Sequence, residues 1–276
     1  MNKKEIKIAI IDLYNNEVNE GIRCINEIVS DSAEKNNTTK ISSHRFETRY
    51  KDEVPDLSYD IFISSGGPGN PFDGVGQKWD ADYFNLINAV WNYNQQEKEN
   101  KKYIFFICHS FQMMARYFKF AQVTERHEKS FGVLPFIRTN AGRKDAILSG
   151  LLDPFYAADF RQYQVIQPDQ KIINELDAKI LSVEADDHVH ESAVMAVRIS
   201  NEIVGTQFHP EADPTSMLFH LRQDERRQHV VERFGEAKYE EMISLLEEPD
   251  KLKLTRKTVL PIFLNSAIDN LNFTRA

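Results

Sequence analysis

Cysteine is scarce: Cys24 and Cys108 are the only two in 276 residues. So small a set excludes a disulfide-built fold and makes a reducing cytoplasm the expected compartment. No apolar run approaches the length of a membrane span, so no membrane association is expected. Met1 to Lys7 is polar and Ile8-Ala9-Ile10-Ile11 is too short for a signal-peptide core, so no secretory leader is expected. Basic excess is lacking as well. The formal net charge is -8, which argues against a broad nucleic-acid-binding face. Internal repeats and low-complexity tracts are absent. What remains is a globular composition, 41% hydrophobic and 28% charged, in a chain long enough for one large domain or a core with an appendage.

The first half alternates apolar strands with amphipathic helices. Ile6 to Leu13 has the β-branched density of a buried parallel strand, and Val18, Ile22, Ile25 and Val29 follow at helical spacing. Ile41 to Phe46 is expected as an edge strand and Tyr59 to Ile63 as a third strand. Phe84, Ile87, Val90 and Trp91 then mark a helix, and Tyr103 to Ile107 a fourth strand running into Cys108. This alternation predicts a three-layer α/β fold, flavodoxin-like, with a mostly parallel central sheet covered by helices on both faces. From Ala121 to Ala185 the pattern shifts to strands such as Gly132 to Thr139 and Lys179 to Val183, an antiparallel or mixed excursion. Ala193 to Arg198 and Ile203 to Phe208 form an expected strand pair. Beyond Pro214 the chain reads as helical, with a last helix from Leu252 to Leu271 broken near Pro261.

Ligands of such sheets bind beyond the carboxyl ends of the strands, and three segments there carry chemistry. Cys108 ends the apolar strand, and Phe111, Met114, Ala115 and Phe118 then follow helical spacing. A thiol on such a turn is lifted toward a ligand, and the N-terminus of the following helix favours thiolate. The N–H of His109 is placed to donate to an oxyanion. Taken alone, Cys108 fits a buried structural cysteine as well. In the second segment His209 follows a strand and Glu211 lies two residues on, where a carboxylate can orient the imidazole. Asp213 before Pro214 reads as a helix cap with proline in the first turn. The third segment, Ser65-Gly66-Gly67-Pro68-Gly69, lets backbone approach a ligand closely, but lacks the Gly-Lys-Ser/Thr ending of a phosphate-binding P-loop.

In order and content these segments resemble the hallmarks of class I glutamine amidotransferases: the glycine loop, Cys108 with Gln112 four residues later, and Gly205-Thr206-Gln207-Phe208-His209-Pro210-Glu211. The resemblance spans roughly residues 5 to 220. It implies Cys108 as nucleophile, His209 as general base and Glu211 as its orienter. It further implies Gly67 and His109 as backbone oxyanion donors, with Gln112 and Gly66 beside the substrate. The family's substrate loop maps onto Phe160-Arg161-Gln162-Tyr163, making Arg161, Gln162 and Tyr163 candidate substrate contacts. Two family glycines are replaced, by Phe106 and Ser110. Phe106 is expected to narrow the pocket or retilt the turn. Phe111 stands where the family commonly has histidine.

The activity implied is hydrolysis of the side-chain amide of L-glutamine through a cysteine thioester, with no cofactor and no metal. Residues 1–220 form the amidotransferase-like domain and 221–276 a helical extension, too short for an ATP-dependent synthetase. Ammonia therefore goes to a separate synthetase subunit, or the enzyme stands alone. Two other readings stand beside this one. The first is a stand-alone amide hydrolase or acyltransferase acting on a γ-glutamyl compound; the second is a catalytically silent regulatory subunit. The helical extension reads either as a partner-docking surface or as a cap on the domain's own core. Asp186-Asp187-His188-Val189-His190-Glu191 is read as a solvated acidic loop before a metal site. Cys24 is expected in the core, and Arg126, His127, Arg138 and Arg143 at the surface.

Overall fold

The computed structural model describes residues 5–36, 39–185 and 192–274. In chain order the elements are β1 Glu5–Asp12, α1 Gly21–Lys35, β2 Lys40–Glu47, α2 Thr48–Lys51, β3 Ile61–Ser64, α3 Lys78–Gln96, β4 Tyr103–Ile107 and α4 His109–Phe118. There follow β5 Gln122–Arg138, α5 Ala146–Ser149, β6 Phe155–Ile166, α6 Gln170–Glu175, β7 Lys179–Glu184, β8 Val194–Arg198 and β9 Ile203–Thr206. The chain ends in four helices, α7 Pro214–Leu221, α8 Asp224–Phe234, α9 Glu236–Glu247 and α10 Leu252–Thr274.

One nine-stranded sheet runs in the order β2-β1-β3-β4-β9-β8-β7-β5-β6. The half from β2 to β9 is parallel, and the half from β9 to β6 is antiparallel. This is the expected α/β architecture with its antiparallel excursion. Side chains of a strand alternate between faces, and β1 divides accordingly. Ile6, Ile8 and Ile10 join a core with α1 and α10, whereas Ala9 and Ile11 join a second core with α3 and α4. A third apolar cluster packs α7, α8 and α9 against Val133 of β5 and Ala158 of β6.

Three sequence expectations are corrected. Val18 lies outside the first helix and is exposed, because α1 starts only at Gly21. The side chain of Asn19 accepts from the Ile22 N–H at 3.2 Å there, as helix-capping groups do. The last helix is not interrupted at Pro261. Proline inside a helix costs about 3 kcal/mol, but the neighbouring Val259, Leu260, Phe263 and Leu264 are buried in the main core and hold the helix together. Phe160 to Tyr163 is no loop; it belongs to β6. The strand is disguised by a buried ion pair, Arg161 Nε to Asp159 Oδ2 at 2.9 Å, whose charged side chains break the apolar alternation. The segment from Asp186 to Glu191 lies outside the described residues.

Candidate active site

The five residues of β4 are all buried, so the strand threads the sheet and delivers Cys108 to its carboxyl edge. There the backbone turns sharply, with Cys108 at φ 49° and ψ -100°. A side-chain-bearing residue in such a conformation costs on the order of 1–3 kcal/mol and persists only when its surroundings hold it. The Cys108 N–H donates to Thr206 O at 2.8 Å, and Gln112 N–H donates to Cys108 O at 3.1 Å. Ser110 Oγ accepts from Ile107 N at 2.7 Å and donates to Ser64 O at 2.8 Å, stitching the end of β4 to that of β3. Thus the serine that replaces a family glycine is a working part of the turn.

Phe106 does not narrow the pocket, contrary to expectation. It is fully buried in the core on the α3/α4 face, opposite Gly205 in the β4–β9 register.

His209 follows β9, the parallel neighbour of β4, so both side chains emerge at one edge of the sheet. The His209 N–H donates to Ala158 O of β6 at 2.9 Å. Its Nδ1 lies 2.8 Å from Glu211 Oε1, and Glu211 is buried. Burial by itself pushes the imidazole toward its neutral form. The Glu211 carboxylate and the Cys108 sulfur outweigh burial and hold His209 well above the ordinary histidine range. The Glu211 carbonyl accepts from Arg256 Nη1 of α10, while Arg256 Nη2 donates to Glu27 of α1 at 2.8 Å. Asp213 caps α7, accepting from Ser216 N at 3.0 Å, with Pro214 opening the helix as expected.

Gly66 packs directly on this pair. A Cβ there would stand 2.8 Å from His209 Cε1 and 3.6 Å from Cys108 Cβ, which places both side chains around one point. At Gly67 a Cβ would meet Leu13 O at 2.4 Å, so the loop lies flush on the end of β1. Ser65 Oγ accepts from Leu13 N at 3.0 Å, and Arg49 Nη1 donates to Pro68 O at 2.7 Å. Gly67, Cys108, His109 and Gln112 line one pocket of about 280 Å³, together with Arg161, Gln162 and Tyr163. As the first residue of α4, His109 has an N–H without an intrahelical acceptor. Its side chain is turned into the protein, where burial and the charges of Arg49 and Arg116 lower it to about 3.

The remaining candidates have particular partners. Gln112 Nε2 donates to Tyr163 O at 3.1 Å and Gln207 Oε1 at 3.2 Å, tying α4 to β6 and to the residue after β9. Arg161 Nη2 donates to Glu184 at 2.6 Å, while Nη1 has no acceptor. Cys24 is buried in α1. Arg126 and Arg143 pair with Glu184 and Asp153, away from the pocket. Among the described residues no group of three or more His, Cys, Asp or Glu is arranged to hold a metal ion, and no helix is long and apolar enough to cross a membrane. Sequence reasoning missed Arg49 and Arg256, which hold the two active-site loops from other elements. It also missed Lys129, His229 and Arg233 at the pocket's wall. Isolated surface-type cations give no periodic signal that would single them out.

A cysteine on a strained strand-to-helix turn, beside a histidine–glutamate pair on the next parallel strand, defines an α/β protein built for thiol chemistry on its sheet edge. The family "Glutamine amidotransferase class-I" matches residues 12–225, and the chain belongs to that family. Solved structures share the fold. A glutamine amidotransferase from Thermotoga maritima superposes with TM-score 0.66 at 15% identity, covering 96% of this chain and 98% of that one. A putative GMP synthase component from Thermoplasma acidophilum gives TM-score 0.51 at 18% identity, over 75% of this chain and 85% of that one. The glutaminase domain of a Trypanosoma brucei CTPS with bound acivicin gives TM-score 0.54 at 12% identity, over 75% and 86%. No curated protein matches the chain.

Proposed function

We propose that the protein is a cysteine-dependent amide hydrolase of the glutaminase type, acting on the γ-carboxamide of a glutamyl group, with L-glutamine as its simplest substrate. The observation that carries this reading is the His209–Glu211 pair, 2.8 Å apart, beside Cys108 on its strained turn. His209 takes the Cys108 proton, and the thiolate adds to the amide carbon. The oxyanion is met by the N–H groups of Gly67 and His109. His209 then gives its proton to the departing nitrogen, the C–N bond breaks, and a glutamyl thioester and ammonia result. Water, deprotonated by the same imidazole, opens the thioester to glutamate and restores the thiol. Gln112, Gly66, Arg161, Gln162 and Tyr163 surround the substrate.

In this reading residues 1–220 carry the chemistry and residues 221–276 complete the walls of the site. The released ammonia goes to a separate synthetase subunit. Two structural neighbours, the glutaminase domain of CTPS and the GMP synthase component, favour this arrangement over a stand-alone enzyme. Ammonia release from L-glutamine, measured beside a Cys108→Ala control, tests the proposal. Release that disappears in the variant supports it; release that persists in the variant removes Cys108 from the reaction.

A further inference from the structure

The pocket over Cys108 is charged in one sense only. None of its sixteen lining residues is Asp or Glu, in a chain with 42 of them and a net charge of -8. The same wall carries Lys129 from β5 and His229 and Arg233 from α8, all exposed. Among the described residues, Lys129 and Arg233 make no ion pair with a carboxylate. Deeper in the pocket stands Arg161, 5% exposed, its charge offset by Asp159 and Glu184 but its Nη1 left without an acceptor. A buried donor without a partner carries a desolvation cost that a ligand oxygen would relieve. Phe131, Phe160 and Phe234 fill the spaces between the cations, a low-dielectric wall that strengthens their field. Two of the four basic side chains, His229 and Arg233, lie beyond residue 225, where the family match ends.

We infer that this pocket selects γ-glutamyl amides carrying an additional carboxylate, such as γ-glutamyl amino acids or peptides, in preference to free glutamine. The inference rests on the reading of Cys108 as nucleophile toward a γ-glutamyl amide. It adds an anion subsite made by Lys129, His229 and Arg233, with Arg161 as the inner donor. Glutamine is a zwitterion without net charge, and an all-basic wall does nothing to favour it. A γ-glutamyl amino acid keeps the same scissile carbonyl and brings a carboxylate on the leaving amine. On cleavage the C–N bond breaks, His209 protonates the amine, and the products are a glutamyl thioester and a free amino acid.

The test compares γ-L-glutamyl-glycine with its C-terminal amide, equal in length and different by one carboxylate. Calorimetric titration of the Cys108→Ala protein reads binding without turnover. The acid form is expected to bind at least about fivefold more tightly, the order of one ion pair. That preference should shrink as salt rises and vanish in a Lys129→Gln/Arg233→Gln double variant. Equal binding of the two ligands, or a preference untouched by the double variant, overturns the inference. Hydrolysis by the Cys-containing protein separates the two readings. If neither compound is cleaved but the preference persists, the anion subsite stands and the hydrolase reading falls. Equal cleavage of both, with equal binding, does the reverse.

Discussion

Phe106 on β4 and Gly205 on β9 are partners across a parallel pair, and the bulk of the one occupies the space left by the other. A Cβ at 205 would lie 2.9 Å from the Phe111 ring, 3.0 Å from Phe106 Cβ and 3.2 Å from Met114 Cε. Gly205→Ala is therefore an overpacking change at the root of the Cys108 turn. It is expected to destabilise the fold by about 1–3 kcal/mol, read from urea midpoints. An unchanged midpoint would mean that the Phe106–Gly205 fit is loose.

Gly66→Ala attacks the site from the other side. Its methyl would enter within 2.8 Å of His209 Cε1 and displace the imidazole from the sulfur. Because small misplacements of a reacting group are costly, kcat/KM is expected to fall about a hundredfold. Alkylation of Cys108 by a neutral reagent should persist, and mass spectrometry would locate it. Full activity in this variant would place the working imidazole elsewhere.

Glu211→Gln keeps a hydrogen-bonding oxygen and removes the charge. Since that charge helps to hold His209 above its ordinary range, the imidazolium of the variant loses its proton at lower pH. The alkaline limb of the pH–rate profile should move toward acid, and the rate should fall by about a hundredfold or more. The stability effect has a definite sign. A raised histidine favours the fold below its unfolded pKa, and this contribution is lost as pH rises through the folded value. The stability margin of the parent over the variant should therefore narrow on the alkaline side.

His109 predicts acid lability. In the fold its imidazole stays neutral down to about 3, whereas the unfolded chain binds a proton near 6.5. Stability is present above pH 6.5 and is lost as pH falls from there toward 3. Both ring nitrogens are buried without partners. His109→Leu should flatten the acid side of the stability curve by a few kcal/mol, about the size of that linkage, while its backbone N–H remains in place. Acid unfolding monitored by fluorescence would reveal it.

The parallel half of the fold was legible because β1, β3 and β4 are nearly continuous apolar runs closed by abrupt turns. The positions of Cys108 and of the His209–Glu211 pair were legible for the same reason, since each immediately follows such a run. β6 was not, because it buries Asp159 and Arg161 against each other, and a buried ion pair looks like a loop when only residue types are visible. Pro261 misled in the opposite direction, since local propensity signals a break that packing in the main core overrides. Lys129 and Arg233 are far apart in sequence and meet only because α8 folds back over β5 and β6. No local pattern encodes that meeting.

The N–H of Cys108 is bonded to the carbonyl of Thr206, two residues short of Phe208 and three short of His209. Nucleophile and base are thus fastened to adjacent rungs of one ladder at the centre of the sheet. The basic wall of α8 instead rests on a separate, smaller apolar cluster. Segments with their own small core open more readily than a central sheet. Under rising denaturant the molecule should first lose its discrimination among ligands and only later its reactivity, so that a partly loosened population still cleaves but no longer chooses.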